Sequence, residues 1–385
     1  MWLVACADPV APPPPPQPEP CLIAEAPAEG PLRAKRVMEP DAMRRAVLFI
    51  REARLTGDAG FYTMAEVSLD CADARAPGGV EARALRAHLG IQFHRFAEVE
   101  ASLTPMPADA GWLDYALLGD AQMEQGKLDG AAVAYQNAVD KRPGIEMYDR
   151  IGWLRWLEGD VEGALEMAEL AAGAGSMLDP EPLAWVLTRL GWLHALRGEP
   201  APEIERALAL IPDYPPARFA RGRIRLAQGH VGAAADLYAD TVESTWARAE
   251  VDPTADVERV KAQDSRGYAM WLTERDPAAA AVILDEEWKI RQDATTQMAR
   301  AYAAWKRVPP PGGAKAGGEP GPPPLDPVAE ARTALATGIV EPRVLRMGAL
   351  ILGDVALAKR ALAMGPGLLP GERVALESLV HVERR

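Results

Sequence analysis

Residues 112–143 read WLDYALLGDAQMEQGKLDGAAVAYQNAVDKRP, and the fold is decided there. Apolar and small residues recur every three or four positions, the spacing that lines one face of a helix. Gly119 and Gly126 bracket the last turns of a first helix and the turn after it. Ala131 stands twelve residues past Gly119, and Tyr135 four residues beyond that. A small residue is wanted where two helices of a hairpin approach closely, and a large one fills the space beside them. Pro143 cannot continue a helix, so it marks the exit from the second one. The stretch is one helix–turn–helix unit.

The same marks recur outward from it. Gly152, Gly191, Gly222 and Gly267 align with Gly119, at successive intervals of 33, 39, 31 and 45 residues. A second glycine follows seven residues later at Gly159, Gly198 and Gly229. Ala164, Ala234 and Ala279 take the small slot, and Tyr238 and Ile283 the one after it. A period near 34 with a hairpin in each unit is a repeat signature. At nearly every diagnostic slot, Trp112–Pro143 resembles a tetratricopeptide repeat. Tyr115, Leu118 and Gly119 fill the first-helix slots; Ala131, Tyr135, Ala138 and Pro143 fill those of the second helix and its exit.

The next unit keeps Tyr148, Ile151, Gly152 and Ala164. Later units depart further: Glu203 stands where a small residue is expected, and Arg218 and Arg221 occupy core-like slots. Weaker echoes cover Phe49–Ala72, Ala87–Leu103 and Gly348–Gly365, giving about nine hairpins over residues 41–365. FIREARLTGDAGFYTMAE and FHRFAEVEASL also resemble phrases in a broad group of bacterial repeat proteins, many of them exported. The resemblance implies an all-α fold, a right-handed superhelical solenoid of antiparallel helix hairpins. It also implies a concave groove, lined by the first helices, that holds a protein or peptide.

Composition agrees with that class. The chain has 385 residues, above the roughly 250–300 that one compact core supports. Its net charge of −13 argues against a nucleic-acid partner, which needs lysines and arginines facing phosphates. Proline and glycine are uneven. Residues 9–20, PVAPPPPPQPEP, hold eight prolines and read as an extended spacer. Residues 308–324, VPPPGGAKAGGEPGPPP, are richer in glycine. The helical patterns on either side, Thr295–Arg307 and Leu325–Gly338, read as the two helices of one hairpin, so the tract is an insertion between them. The organisation expected is a Pro-rich N-terminal segment (1–40), a repeat array (41–307), an insertion (308–326) and a C-terminal hairpin with a capping helix (327–385).

Leu3-Val4-Ala5-Cys6 matches the lipobox of bacterial lipoproteins, with small residues before a cysteine that becomes acylated. Only Met1 and Trp2 precede it, without a basic segment or most of an apolar one. The expectation is a start further upstream and a lipid anchor on Cys6, with the Pro-rich stretch as tether to the cell envelope. The alternative is a cytoplasmic adaptor without lipid. Cys71 is expected as a small buried residue.

Sequence motifs for catalysis are absent: no GxSxG, HExxH, Walker A or GxGxxG occurs. The histidines at 88, 94, 194, 230 and 381 are scattered, and Glu286 and Glu287 read as a solvated helix face. No enzyme activity, small-molecule substrate, metal or cofactor is expected. For a partner, helical periodicity from the glycine slot places Trp153, Trp156, Trp185 and Trp192 on the open face of two adjacent units. Asp120 and Met123 precede them, and Phe219 and Arg223 follow. Tryptophans on a groove wall supply the contact area that anchors partners. The other reading of the same residues is packing between neighbouring repeats.

Overall fold

The Gly-Asp breaks in the sequence are helix boundaries made of two complementary caps. Gly159 and Gly353 take left-handed backbone (φ 86° and 64°), which glycine adopts without a Cβ clash. The aspartate that follows each then caps the next helix. Asp160 accepts from the Gly163 amide at 2.9 Å, and Asp354 from the Ala356 and Leu357 amides at 2.9 and 3.0 Å.

The computed structural model describes residues 41–57, 60–75, 79–228, 265–307, 325–368 and 370–382. Five hairpins come first. They are α1 (Ala42–Thr56) with α2 (Gly60–Arg75), and α3 (Val80–Gln92) with α4 (Phe96–Ser102). Then come α5 (Trp112–Glu124) with α6 (Leu128–Lys141), α7 (Ile145–Leu157) with α8 (Val161–Gly173), and α9 (Pro180–Leu196) with α10 (Pro202–Leu210). The helix α11 (Pro215–Ala227) follows. Three more hairpins form the C-terminal part: α12 (Ser265–Leu272) with α13 (Pro277–Ile290), α14 (Ala294–Arg307) with α15 (Pro327–Ala336), and α16 (Pro342–Leu352) with α17 (Val355–Ala363). A last helix, α18 (Pro370–Val382), packs on α17. Among the described residues, extended pairing is limited to one isolated bridge, Ser176 with Asp179. The fold is an all-α solenoid of stacked antiparallel hairpins. Cys6, Cys21, residues 9–20 and 308–324, and the slots Gly229, Ala234 and Tyr238 lie outside the described residues.

The glycine slot has a physical reason in three successive units. A Cβ on Gly119 would run into the ring of Tyr135, one on Gly152 would sit 3.3 Å from the Ala164 carbonyl, and one on Gly191 would sit 2.9 Å from Ile204. The two helices touch there, so the slot cannot carry a side chain without a shift. Ala131, Tyr135, Ala138 and Ala164 are all buried as expected.

The later units correct the expected register by one residue. Ala280 and Leu284 are fully buried, where Ala279 and Ile283 were expected, and Ile204 with Ala207 fills the place opposite Gly191 instead of Glu203. The cause is the turn. The second helix starts nine residues after the glycine in α6 and α8, but eleven in α10 and ten in α13. Glu287 is a further correction. It is buried (6% exposed) and accepts from the Ser265 hydroxyl, whereas Glu286 is solvated and pairs with Lys289. Cys71 is buried in α2.

α14 and α15 pack as one hairpin. Met298, Tyr302, Ala331 and Ala334 share a core, and the Gln297 amide donates to Glu330 at 2.7 Å.

The solenoid also folds back on itself. The turn after α5 meets the turn before α14, where a Cβ on Gly126 would lie 2.5 Å from the Gln292 carbonyl. The turn after α7 meets the one before α16, Gly159 against Gly338, glycine to glycine. Val340 enters the core around Trp156, and Leu157 joins the core of α12–α16. Glu124 pairs with Arg291 across this seam at 3.2 Å, and Arg223 donates to the Pro366 carbonyl at 3.1 and 2.9 Å. The C-terminal hairpins therefore cover one flank of the middle ones.

Candidate functional site

The first helices α1, α3, α5, α7 and α9 line a cavity of about 450 Å³ on the inner side of the solenoid. Three arginines face it, and each is held by a carboxylate that also takes a hydrogen bond from an aromatic side chain. Arg150 lies bidentate on Asp120 (2.9 and 3.0 Å), and the Tyr135 hydroxyl donates to Asp120 at 2.7 Å. Arg189 pairs with Asp149 at 3.0 Å, and the Trp185 indole N–H donates to the same oxygen at 3.1 Å. Arg54 reaches across from the first hairpin to Glu181 at 3.0 Å, with the Tyr214 hydroxyl on the same carboxylate at 2.9 Å. Beside that bridge Arg51 approaches Asp179 at 3.4 Å. Such charge-assisted pairs fix side chains in one geometry.

Protonation follows from this packing. Burial, then Asp120, pushes the Tyr135 phenol well above its usual range, and burial with Glu181 does the same to Tyr214. Burial alone would lower Arg150, but Asp120 outweighs it and keeps the guanidinium charged. His88 has the opposite outcome. Burial, reinforced by the positive charges of Arg54 and Arg150, pulls it down to about 4, so it is neutral at physiological pH. Its Nε2 is sealed from solvent and has no hydrogen-bond partner.

Trp153 and Trp185 supply the apolar surface. The Arg189 guanidinium stacks over both, 4.4 Å from the Trp153 ring centre and 5.1 Å from that of Trp185. Two partly exposed tryptophans are thus held rigid by an ion pair in the groove wall.

Four of the residues picked from sequence line this chamber together: Asp120, Met123, Trp153 and Trp185. The other four do not. Trp156 is 3% exposed and packs with Leu165, Leu193 and Val340, because the C-terminal hairpins cover that side of α7. Trp192 leans on the same core at the α7–α9 joint. Arg223 is buried (4%) and ties α11 to Pro366, and Phe219 lies beside it with its ring 6.0 Å from the guanidinium. These four seal joints. Sequence reasoning missed Arg54, Tyr62, His88, Arg150, Glu181, Arg189 and Tyr214. One signal was present: Arg150 and Arg189 both stand two residues before the unit glycine, in adjacent repeats.

Among the described residues, no group of three or more His, Cys, Asp or Glu is placed to hold a metal, and no helix is long and apolar enough to cross a membrane. No protein-family model and no curated protein matches the chain. Among solved structures, the crystal structure of the APC/C hetero-tetramer Cut9-Hcn1 matches at 12% identity with a TM-score of 0.44, over 83% of this chain and 56% of that one. The chain thus spans little more than half of that protein's length. The TPR domain of P58(IPK) matches at 10% identity and a TM-score of 0.22, over 88% and 97% of the two chains. The fold assignment rests on the hairpin packing itself.

Proposed function

We propose that the chain is a non-catalytic protein-interaction scaffold that holds a peptide or an extended segment of a partner in the chamber. The observation that carries this reading is the wall of Trp153 and Trp185, rigidly presented around a cavity too polar and too large to be unfilled core. Rigid, partly exposed tryptophans ringed by satisfied polar groups are the pattern of interface hot spots. Its three arginines are already matched by Asp120, Asp149 and Glu181, which supports binding over catalysis. Photocrosslinking tests the reading. Benzoylphenylalanine at Met123, in the chamber, should give a discrete adduct that Trp185→Ala removes, while the same probe at Val133, exposed on α6, should not. Equal adducts from both positions would refute it.

The scaffold is further proposed to be tethered to the cell envelope through an acylated Cys6, with residues 7–40 as the tether. The lipobox Leu3–Cys6 followed by the Pro-rich stretch supports this. Expressed with an upstream export signal, the protein should partition with membranes, and Cys6→Ser should release it. Unchanged partitioning would leave the cytoplasmic adaptor reading.

A further inference from the structure

The chamber wall is specific about the chemistry it can accept. Its three arginines are each neutralised by Asp120, Asp149 or Glu181, so a charged ligand would have to break an existing pair to gain its own. An uncharged ligand breaks none. Unused donors remain open on the wall. The Nε and Nη2 groups of Arg189 make no hydrogen bond. Around them stand the faces of Trp153, Trp185 and Tyr62. The ligand that suits these donors and rings is therefore uncharged, rich in carbonyl acceptors, and furnished with flat apolar rings. A proline-rich strand has this combination, since proline keeps its carbonyl, lacks the N–H, and stacks on aromatic grooves.

This chain carries such a strand. In residues 9–20 eight of the twelve positions are proline, and the one charge is Glu19. Twenty residues, 21–40, connect it to Asp41, the N-cap of α1, and α1 ends at the chamber with Arg54. At about 3.1 Å per residue that connection spans up to ~60 Å, while α1 itself is only about 22 Å long. Reach does not limit docking. We infer that residues 9–20 occupy the chamber of their own chain, stacked on Trp153 and Trp185 with backbone carbonyls on Arg189, and that a partner must displace them. The inference rests on the chamber being a peptide site and names what holds it when no partner is bound.

The test is binding of a fluorescent synthetic peptide of residues 9–20 to the full-length chain, followed by polarisation. Three proteins are compared: the unaltered chain, the chain with Pro12→Ser, Pro13→Ser, Pro14→Ser, Pro15→Ser and Pro16→Ser, and that variant with Trp185→Ala added. A tethered segment competes at an effective concentration near the millimolar range. The five-serine chain should bind the peptide at least tenfold more tightly than the unaltered chain, and Trp185→Ala should abolish the gain. Trp153→Leu replaces it if that chain fails to fold. Equal binding by the first two proteins overturns self-occupancy but leaves the chamber a peptide site. Binding untouched by both tryptophan changes, or no binding to any chain, overturns the inference too. The Met123 crosslink is a separate readout of the scaffold function in either case.

Discussion

The chamber and the seam are built from one helix, α7, and treat its two tryptophans in opposite ways. Trp153 stands in the chamber wall with Arg189 stacked on its ring, partly exposed. Trp156, three residues on, is enclosed by Leu165, Leu193 and Val340. Both residues satisfy the same helical spacing from Gly152, so the repeat pattern does not separate them. The C-terminal hairpins do, because Val340 comes from the turn between α15 and α16. A residue's role in a solenoid is thus set by its own repeat and also by whatever the chain later lays against that repeat.

The largest expected effect breaks the seam. Trp156→Ala removes a buried indole and leaves a void between two layers, a change that costs roughly 3–5 kcal/mol for large aromatic residues. Chemical denaturation should show a loss of this size and, because both layers lose contacts, a shallower transition. A loss below ~1 kcal/mol would mean that Trp156 is not sealing the layers.

Gly159→Ala should follow at about 3 kcal/mol, combining left-handed backbone strain with the collision against the Gly338 carbonyl. Gly198 is the control. It has the same left-handed backbone (φ 77°) but open space around its α-carbon. Gly198→Ala should therefore cost only about 1 kcal/mol, the strain without the collision. Equal melting temperatures for the two variants would dissolve the distinction between seam turns and ordinary ones.

The two regions should also titrate in different windows. His88, in the chamber, sits at about 4 in the folded protein against 6.5 as its usual value, so the unfolded chain binds the extra proton first. Stability is full above pH 6.5 and falls by about 2–3 kcal/mol as pH drops towards 4. Burial pushes Glu274, in the C-terminal layer, upward, but donors from Arg346, Lys306 and Tyr302 outweigh it and hold it at about 2. Its contribution is present above pH 4.5 and is lost as pH falls towards 2. His88→Phe should flatten the first slope and leave the second. Two slopes that vanish together would mean that the regions unfold through a shared titration.

The repeat grammar was legible wherever a local contact enforced it. Gly119 and Tyr135 were readable because each hairpin must bring two helices together at one place. Half the groove was legible for the same reason, with Asp120, Met123, Trp153 and Trp185 on the predicted face. The rest depended on distance along the chain. Arg54 meets Glu181 only after the solenoid has curled through five hairpins, and Trp156 meets Val340 only after the chain has turned back. Periodicity gives the contacts of neighbouring repeats and is silent on those between remote ones. The register shifts in α10 and α13 came from turn length, which a fixed period does not encode.

The smallest effect sharpens the comparison most. Trp153→Ala takes away a ring that touches the core around Trp156 from its edge and carries Arg189 on its other face. Arg189 keeps Asp149 and Trp185 after the change, so no buried charge is stranded. What is lost is part of one packing face and one cation–π contact, together about 1–2 kcal/mol. The variant should therefore melt only a few degrees below the unaltered chain, well above Trp156→Ala, while the Met123 crosslink is lost. Two tryptophans one turn apart would then divide cleanly, one spent on stability and the other kept for a ligand. If Trp153→Ala destabilises as much as Trp156→Ala, Trp153 belongs to the joint, and the partner-facing wall shrinks to Trp185 and Met123.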